Sequence, residues 1–336
     1  MSPADVFLVV HNHARTVRAT LEAVGTQSVS PERIVVLDNA STDGSASIVQ
    51  DVGRALPLEQ IRWPENRGFS AAANEALRRS RAPWVLALNP DCRLAPDYLE
   101  KLLEAQAGRD RERVGALTGL LMRAQGEELA ATESIDSAGM VVTASGRHLD
   151  RASGRAMRER WLRSAWVFGA SGAAALYRRE ALEDVSYPAG EVFDETFFAY
   201  REDADLAWRL QRRGWHCLFW PTARAWHERG LKPELNRRGT PEVNRHSVRN
   251  RFLLRWSNAD WRWRLACFPW WALRDVVVAG ACLTVERSSA PGLSEAWALR
   301  RQQRARGRAN ASRALVSGWL VARWFLPGHR VRKVRS

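Results

Sequence analysis

Three short apolar runs in this 336-residue chain each end in polar residues: His11-Asn12, Asp38-Asn39 and Asn89-Pro90-Asp91. Taken singly, each is what a β-strand opening into a polar loop looks like. Taken together they raise a question of charge, because carboxylates gathered in one crevice repel one another. A divalent cation with oxygen ligands, Mg2+ or Mn2+, bridging to phosphate groups is the usual resolution. A second acidic group, Glu202-Asp203-Ala204-Asp205, stands just before the helical stretch LAWRLQRRG. Carboxylates there suit two tasks. They can cap a helix, and Asp205 can pair with Arg209 at i,i+4. One of them, Asp203, can instead take a proton from a hydroxyl, whose own pKa is too high for unassisted attack. On residue chemistry alone the two readings of Asp203 weigh equally.

The elements that must position these groups follow from the pattern of apolar residues. DVFLVV (5–10) and IVVLD (34–38) are β-branched runs, and 14–24 between them has helical spacing. A weaker strand is expected at 60–63, a helix over 70–79 and a strand, WVLALN, over 84–89. Strands alternating with helices predict an α/β fold with a mostly parallel central sheet flanked by helices. Ligands then gather at the carboxyl ends of the strands. Beyond a helix at 97–107, a strand is expected at 115–122. Residues 126–160 are polar, Gly-rich and without period, and read as loops. A second ordered block spans 166–226, followed by a basic loop and a helix near 243–256.

Charge is distributed unevenly. The chain holds 51 basic and 37 acidic residues, a net +14. Between Asp260 and Ser336, fourteen arginines and Lys333 face only four acidic residues, leaving +3 for the first 259 positions. The same stretch carries seven tryptophans. Arg interleaved with Trp suits a helical element at a lipid interface, where guanidinium meets anionic headgroups and indole the apolar boundary. A tail folded back as helices on the rest of the chain competes with that reading. Nucleic acid is not expected as a partner, since no RRM, helix-turn-helix or zinc-finger pattern is present. A 46% hydrophobic content excludes disorder and collagen-like repeats. Four cysteines without a CxxC pair are no disulfide framework and point to a reducing, cytoplasmic setting. The N-terminus lacks the features of a signal peptide. The apolar stretch 267–285 is broken by Arg274 and Asp275, so a spanning helix is not expected.

Five segments occur in order: VLDNASTDGS (36–45), ENRGFSAAAN (65–74), LNPDC (88–92), FDETFFAYREDADLAWR (193–209) and AWH (225–227). Together they resemble the inverting nucleotide-sugar glycosyltransferases of family two, with the GT-A fold. The nearest branch is the rhamnosyltransferase-like enzymes of bacterial cell-surface glycans, and the resemblance covers about residues 5–255. It implies a donor site in which Asp38 accepts a hydrogen bond from the pyrimidine of a UDP- or dTDP-linked sugar. His11 stands where many relatives stack a Tyr on that base, with Asn12 beside it. Asn66 and Gly68 shape the adjoining loop. Asn89 and Asp91 replace the family's Asp-x-Asp, which makes Asp91 the metal ligand and Asn89 a ribose or outer metal contact. His227 is implied as a second metal ligand, and imidazole favours Mn2+ over Mg2+. Asp203 is implied as the base and Glu202 as its orienting partner. Arg251 is implied near the diphosphate, and residues 169–172 beneath the acceptor.

The implied reaction is metal-dependent inverting transfer of a sugar, a deoxyhexose such as rhamnose, to a glycan or lipid-linked acceptor. The alternative is a non-catalytic nucleotide-sugar or polyanion-binding protein docked on membranes. Residues 1–258 are expected to form the catalytic domain. Residues 259–336 are expected to form a basic Trp/Arg-rich helical tail, able to hold the protein peripherally on the inner face of the plasma membrane.

Overall fold

The first seven elements alternate strand and helix: β1 (Ala4–Val10), α1 (Val17–Gly25), β2 (Ile34–Asn39), α2 (Ser45–Gly53), β3 (Leu58–Trp63), α3 (Phe69–Arg79) and β4 (Trp84–Leu88). In the computed structural model, which describes residues 4–229, 241–327 and 332–334, these strands lie parallel in the order β3-β2-β1-β4. β1, β2 and β4 are buried along their whole length, as parallel strands covered on both faces must be. Alternate residues face two cores. Phe7, Val35, Leu37 and Val85 pack with α3 on one side. Val6, Leu8, Val36 and Leu86 pack with α1 and α2 on the other.

The chain continues through β5 (Cys92–Leu94), α4 (Tyr98–Gln106), β6 (Val114–Gln125), β7 (Ala130–Ser137), β8 (Met140–Val142), β9 (His148–Asp150), β10 (Ala165–Val167), β11 (Ala174–Arg178), α5 (Arg179–Val185), α6 (Glu202–Arg212) and β12 (His216–His227). β11 enters the sheet antiparallel between β4 and β6, while β12 runs parallel to β6. The short strand β5 pairs antiparallel with the end of β12, setting His227 opposite Cys92. That register carries His227 to the residue following Asp91.

The stretch 126–160, expected as loops, is corrected by the structure. β7 pairs with β6, β8 and β9 form a hairpin, and Glu159–Leu162 is a short 3-10 helix. β7 passes from exposed residues to buried Asp136 and Ser137, so no alternating pattern marks it. The basic loop expected after His227 lies mostly outside the described residues.

The remaining elements are α7 (Pro241–Asn258), α8 (Trp261–Ala266), α9 (Phe268–Thr284), α10 (Pro291–Ser312), α11 (Gly318–Ala322) and the two-residue β13 (Arg332–Lys333). Trp263, Val321, Ala322 and Phe325 share a core with Phe168, Trp208 and Leu254. α10 lies close on α7, where a Cβ on Gly307 would come within 2.3 Å of the Trp256 carbonyl oxygen. Ion pairs Arg212–Asp260 and Arg306–Glu191 tie the tail to the sheet-bearing part. No single described helix is long and apolar enough to cross a membrane. Only α9 taken with Arg287–Ser312 reaches that measure, and the pair bends by 111°.

Candidate active site

The carboxyl ends of β1, β2 and β4 open into a cleft of about 630 Å³. Its wall is completed by the start of α6, the end of β12 and the first turns of α7. His11, Asn66, Gly68, Asn89, Asp91, Glu202, Asp203 and His227 all line it. Asn12, Asp38 and Arg251 are not among the lining residues. A second cavity of about 660 Å³, beside Trp166, Val316 and Trp324, holds none of the predicted groups.

On the β1–β2 side the polar loops are laced together. His11 Nδ1 lies 2.8 Å from the Asn39 carbonyl oxygen. Asn39 Nδ2 donates to Asn66 Oδ1 at 2.9 Å, and the Gly68 N–H donates to the same oxygen at 2.9 Å. Gly68 has φ +84°, and a Cβ there would meet the Phe198 ring and carbonyl at 2.6 Å, so only glycine fits. Asn12, itself at φ 58°, serves the loop: its Oδ1 accepts the Thr42 N–H at 2.8 Å. Asp38 is fully buried. Its Oδ1 accepts the Ser41 N–H at 3.0 Å and its Oδ2 faces Arg62 Nε at 3.1 Å, while neighbouring Asn39 reaches the cleft.

The β12–β5 register builds the second cluster. His227 Nε2 stands 3.3 Å from Asp91 Oδ1, which is buried and has no hydrogen-bond partner. On the other edge of the ring, Nδ1 is 2.8 Å from Asp136 Oδ2, and Arg229 Nε is 3.1 Å from the remaining Asp136 oxygen. Burial acts to lower the His227 pKa, but the Asp91 and Asp136 carboxylates overcome it and push the ring up to about 10. Burial likewise opposes ionisation of Asp136, yet the His227 hydrogen bond holds its pKa below the ordinary value. Among the described residues, no three His, Cys, Asp or Glu side chains form a complete ligand set. The donor set nevertheless fits a divalent cation. Asp91 Oδ1 is an orphaned acceptor, His227 Nε2 points to it, and a carboxylate behind the imidazole is how metal-binding histidines are oriented. Water and phosphate oxygens would supply the remaining positions.

The third cluster sits at the start of α6. Phe198, Tyr200 and Arg201 all have positive φ, at 63°, 71° and 75°. This strained turn is held by α7: Asn250 Nδ2 lies 2.8–2.9 Å from the carbonyls of Phe197, Ala199 and Tyr200. Asp203 Oδ1 accepts the Ala204 N–H at 2.7 Å, and buried Glu202 Oε2 has no partner. Burial, then the Asp203 charge, pushes Glu202 up to about 8. Burial and Asp150 push Asp203 up to about 6, against the pull of the Ala204 and Gly172 backbone N–H groups. Two carboxyls this close share their protons, and both are pushed above the ordinary carboxylate range, Glu202 further than Asp203. Asp205 is structural: it is fully buried, paired with Arg209 at 2.8 Å and bonded by Asn258. Arg251 is buried on α7, and burial, with Asp275 opposing it and Arg274 adding to it, lowers its pKa to about 10.

Sequence reasoning missed Asp136, His148, Asp150, Arg201 and Arg229, all of them at or against this cleft. Asp136 and His148 lie in the stretch read as loops. Arg201 carries no sequence signal of its own, because the positive φ of Phe198, Tyr200 and Arg201 is a property of the fold.

Residues 5–186, more than half of the chain, match the family described as Glycosyl transferase family 2. The chain belongs to that family. Among characterised relatives, the N-acetylglucosaminyl-diphospho-decaprenol L-rhamnosyltransferase of Mycobacterium tuberculosis is 25% identical over 237 residues, covering 62% of this glycosyltransferase and 70% of the relative. The poly-beta-1,6-N-acetyl-D-glucosamine synthase of Staphylococcus epidermidis is 23% identical over 220 residues, so the chain spans about half of that synthase, 48%. The fold is shared with solved GT-A glycosyltransferases. A mannosyltransferase from Pyrobaculum calidifontis, in complex with GDP-Man and Mn2+, superposes with TM-score 0.53 at 19% identity, covering 95% of this chain and 85% of that one. TarS of S. aureus gives 0.54 at 16% identity, covering 95% and 54%.

Proposed function

We propose that this family 2 glycosyltransferase moves a deoxyhexose such as rhamnose from a UDP- or dTDP-linked donor to a hydroxyl of a glycan or lipid-linked acceptor, with inversion, in cell-surface polysaccharide synthesis. The observation that carries this reading is that Asp91 and His227 line the same cleft as Asp203. The name of the mycobacterial relative, a rhamnosyltransferase acting on a decaprenyl diphosphate, supports the choice of sugar and of acceptor.

His11, Asn39 and Asn66 border the nucleotide end of the cleft. Asp91 Oδ1 and His227 Nε2 would hold Mn2+ or Mg2+. A bound cation supplies electrostatic stabilisation of the charge that develops on the leaving diphosphate. Asp203, in its ionised form, takes the proton from the acceptor hydroxyl as that oxygen attacks the anomeric carbon. Attack opposite the leaving group inverts the configuration. Glu202, whose pKa is raised further, offers an O–H to orient the acceptor or Asp203. The basic, Trp-rich residues 259–336 form a tail that keeps the catalytic unit, 1–258, at the cytoplasmic face of the membrane.

The test is a screen of nucleotide sugars with the purified chain and Mn2+ or Mg2+, scored by nucleoside diphosphate release and by donor binding. The expected result is release with a UDP- or dTDP-sugar that needs both cation and acceptor. Donor binding without turnover under every condition would leave a nucleotide-sugar-binding protein instead.

A further inference from the structure

The turn that aims Glu202 and Asp203 into the cleft starts several residues earlier, at Asp194. That carboxylate is fully buried and caps the single 3-10 turn Glu195–Phe197. Its Oδ1 accepts the Thr196 N–H at 2.9 Å and also the Thr196 hydroxyl. Phe197 leads directly into Phe198, Tyr200 and Arg201, the positive-φ residues ahead of α6. A buried carboxylate needs a positive partner, and Asp194 finds it in the C-terminal stretch. Arg306 Nη1 of α10 lies 2.6 Å from Asp194 Oδ1, and the same guanidinium bonds both Glu191 oxygens at 2.9 Å. Gln303, one turn before Arg306, is fully buried as well. Its Nε2 donates to Asp194 Oδ2 at 3.1 Å and to Thr196 Oγ1 at 2.6 Å. The Thr196 hydroxyl thus accepts from α10 and donates to Asp194.

A third α10 residue reaches the other end of the 3-10 turn through a relay. The Glu295 carboxylate stands 3.3 Å from Arg249 Nη1, and Arg249 Nη2 donates to the Phe197 carbonyl at 2.7 Å. Glu295, Gln303 and Arg306 fall at i, i+8 and i+11, a single stripe of a helix. That stripe is seated closely on α7: a Cβ on Gly292 would come within 2.5 Å of the Arg245 carbonyl oxygen. Away from the stripe α10 is ordinary surface, with Arg301, Arg304 and Arg308 exposed. A tail that served only to meet a membrane would need this outer face and not the inner one.

We infer that α10 is a positioning part of the active site: Gln303 and Arg306 fix Asp194 and Thr196, and so set the turn from which Asp203 meets the acceptor. The inference rests on reading Asp203 as the base, and it gives one helix of the tail a task that needs no membrane. Glu295, Gln303 and Arg306 do not line the cleft, so they act through the turn and not on substrate.

Hydrogen exchange and steady-state kinetics on the full chain, without lipid, test this with Gln303→Met, which keeps side-chain volume and removes both hydrogen bonds. Amides of residues 195–203 should exchange about tenfold faster, while those of β1 and β2 keep their protection. kcat should fall about ten- to a hundredfold, as for a displaced reacting group, with donor KM within about twofold. Water admitted to the loosened turn relieves the burial that raises Asp203. The acid limb of the kcat profile, expected near pH 6, should therefore move down by about half a unit. Thr196→Val keeps the shape of a partly buried side chain and should show a smaller change in the same direction. Arg306→Lys, which keeps the charge, should retain more rate than Arg306→Met. Arg301→Gln, on the exposed face, should match the parent chain in every measurement. Unchanged exchange at 195–203 in Gln303→Met would overturn the inference. So would a rise spread equally over β1 and β2, or a loss of rate with the limb left in place, since either would reduce α10 to fold stability alone. Exchange needs no donor, so failure of transfer with every nucleotide sugar would refute the proposed function and leave exchange to judge whether α10 holds the turn.

Discussion

Strands β1 to β4 and strands β6 to β12 bring residues to one cleft by different means. In the first region each strand delivers its own functional group at its own end, and parallel register lines the ends up: Val10 sits opposite Asp38. The groups it delivers are mostly held by backbone and amide contacts within the loops. In the second region, function depends on partners far apart in the chain. His227 is oriented by Asp136, 91 residues away, and the turn before Asp203 is held by Asn250, about 50 residues on. The first region is a tolerant frame; the second stores charge and strain. Changes in the second should therefore cost more.

Asp203 is the sharpest place to break that contrast. Asp203→Asn should lower kcat by about a thousandfold, the size of a lost general base, with donor affinity within about twofold. Single-turnover kinetics and donor titration separate the two. The pH profile gives the same group a second signature. Asp203 must be ionised to accept a proton, and its pKa is raised to about 6. Acidification through that value should cost rate, about tenfold per pH unit below it, and the limb should vanish in Asp203→Asn. Full turnover in that variant would remove the base assignment.

Arg209→Met probes stability in the same region. Arg209 and Asp205 are both buried, at 2% and 0% side-chain exposure, and the change leaves Asp205 as a buried charge without its partner. The expected loss is about 3–5 kcal/mol, read as a shift in denaturant midpoint. Asp136→Asn comes next. It keeps the shape but removes the charge behind His227, and cation affinity should fall about 10- to 100-fold, measured by Mn2+ titration followed by donor binding. An unchanged affinity would mean that His227 does not ligand the ion.

The same division explains what could be read from the sequence. β1, β2 and β4 are legible because a buried parallel strand is a run of apolar residues, and the polar pair that ends it marks the cleft. Glu202-Asp203 and His227 were legible only as ordered motifs resembling a family. Asp136 was not legible at all, because β7 changes from exposed to buried midway and a lone Asp in a Gly-rich stretch looks like any loop residue. Arg201 was hidden for another reason. The positive-φ turn that carries it to the cleft beside His148 is made by the fold, and no residue type in the sequence announces it. Asp38 is a different case: its type and place were read, and the fold bonds its carboxylate to the Ser41 N–H and Arg62.

Asp38 also gives the smallest expected effect and the cleanest control. Like Asp205 it is a buried carboxylate facing an arginine, but Arg62 keeps 63% of its side chain exposed. Water and salt screen such a partner, so Arg62→Ala should cost no more than about 1 kcal/mol, while the Ser41 N–H still holds Oδ1. Denaturation of Arg62→Ala beside Arg209→Met, at low salt and at 1 M salt, puts the two regions on one scale. A loss at Arg62 as large as that at Arg209 would mean that the frame carries an obligatory buried ion pair of its own. The difference in tolerance between the two regions would then have to come from strain at the α6 turn rather than from charge.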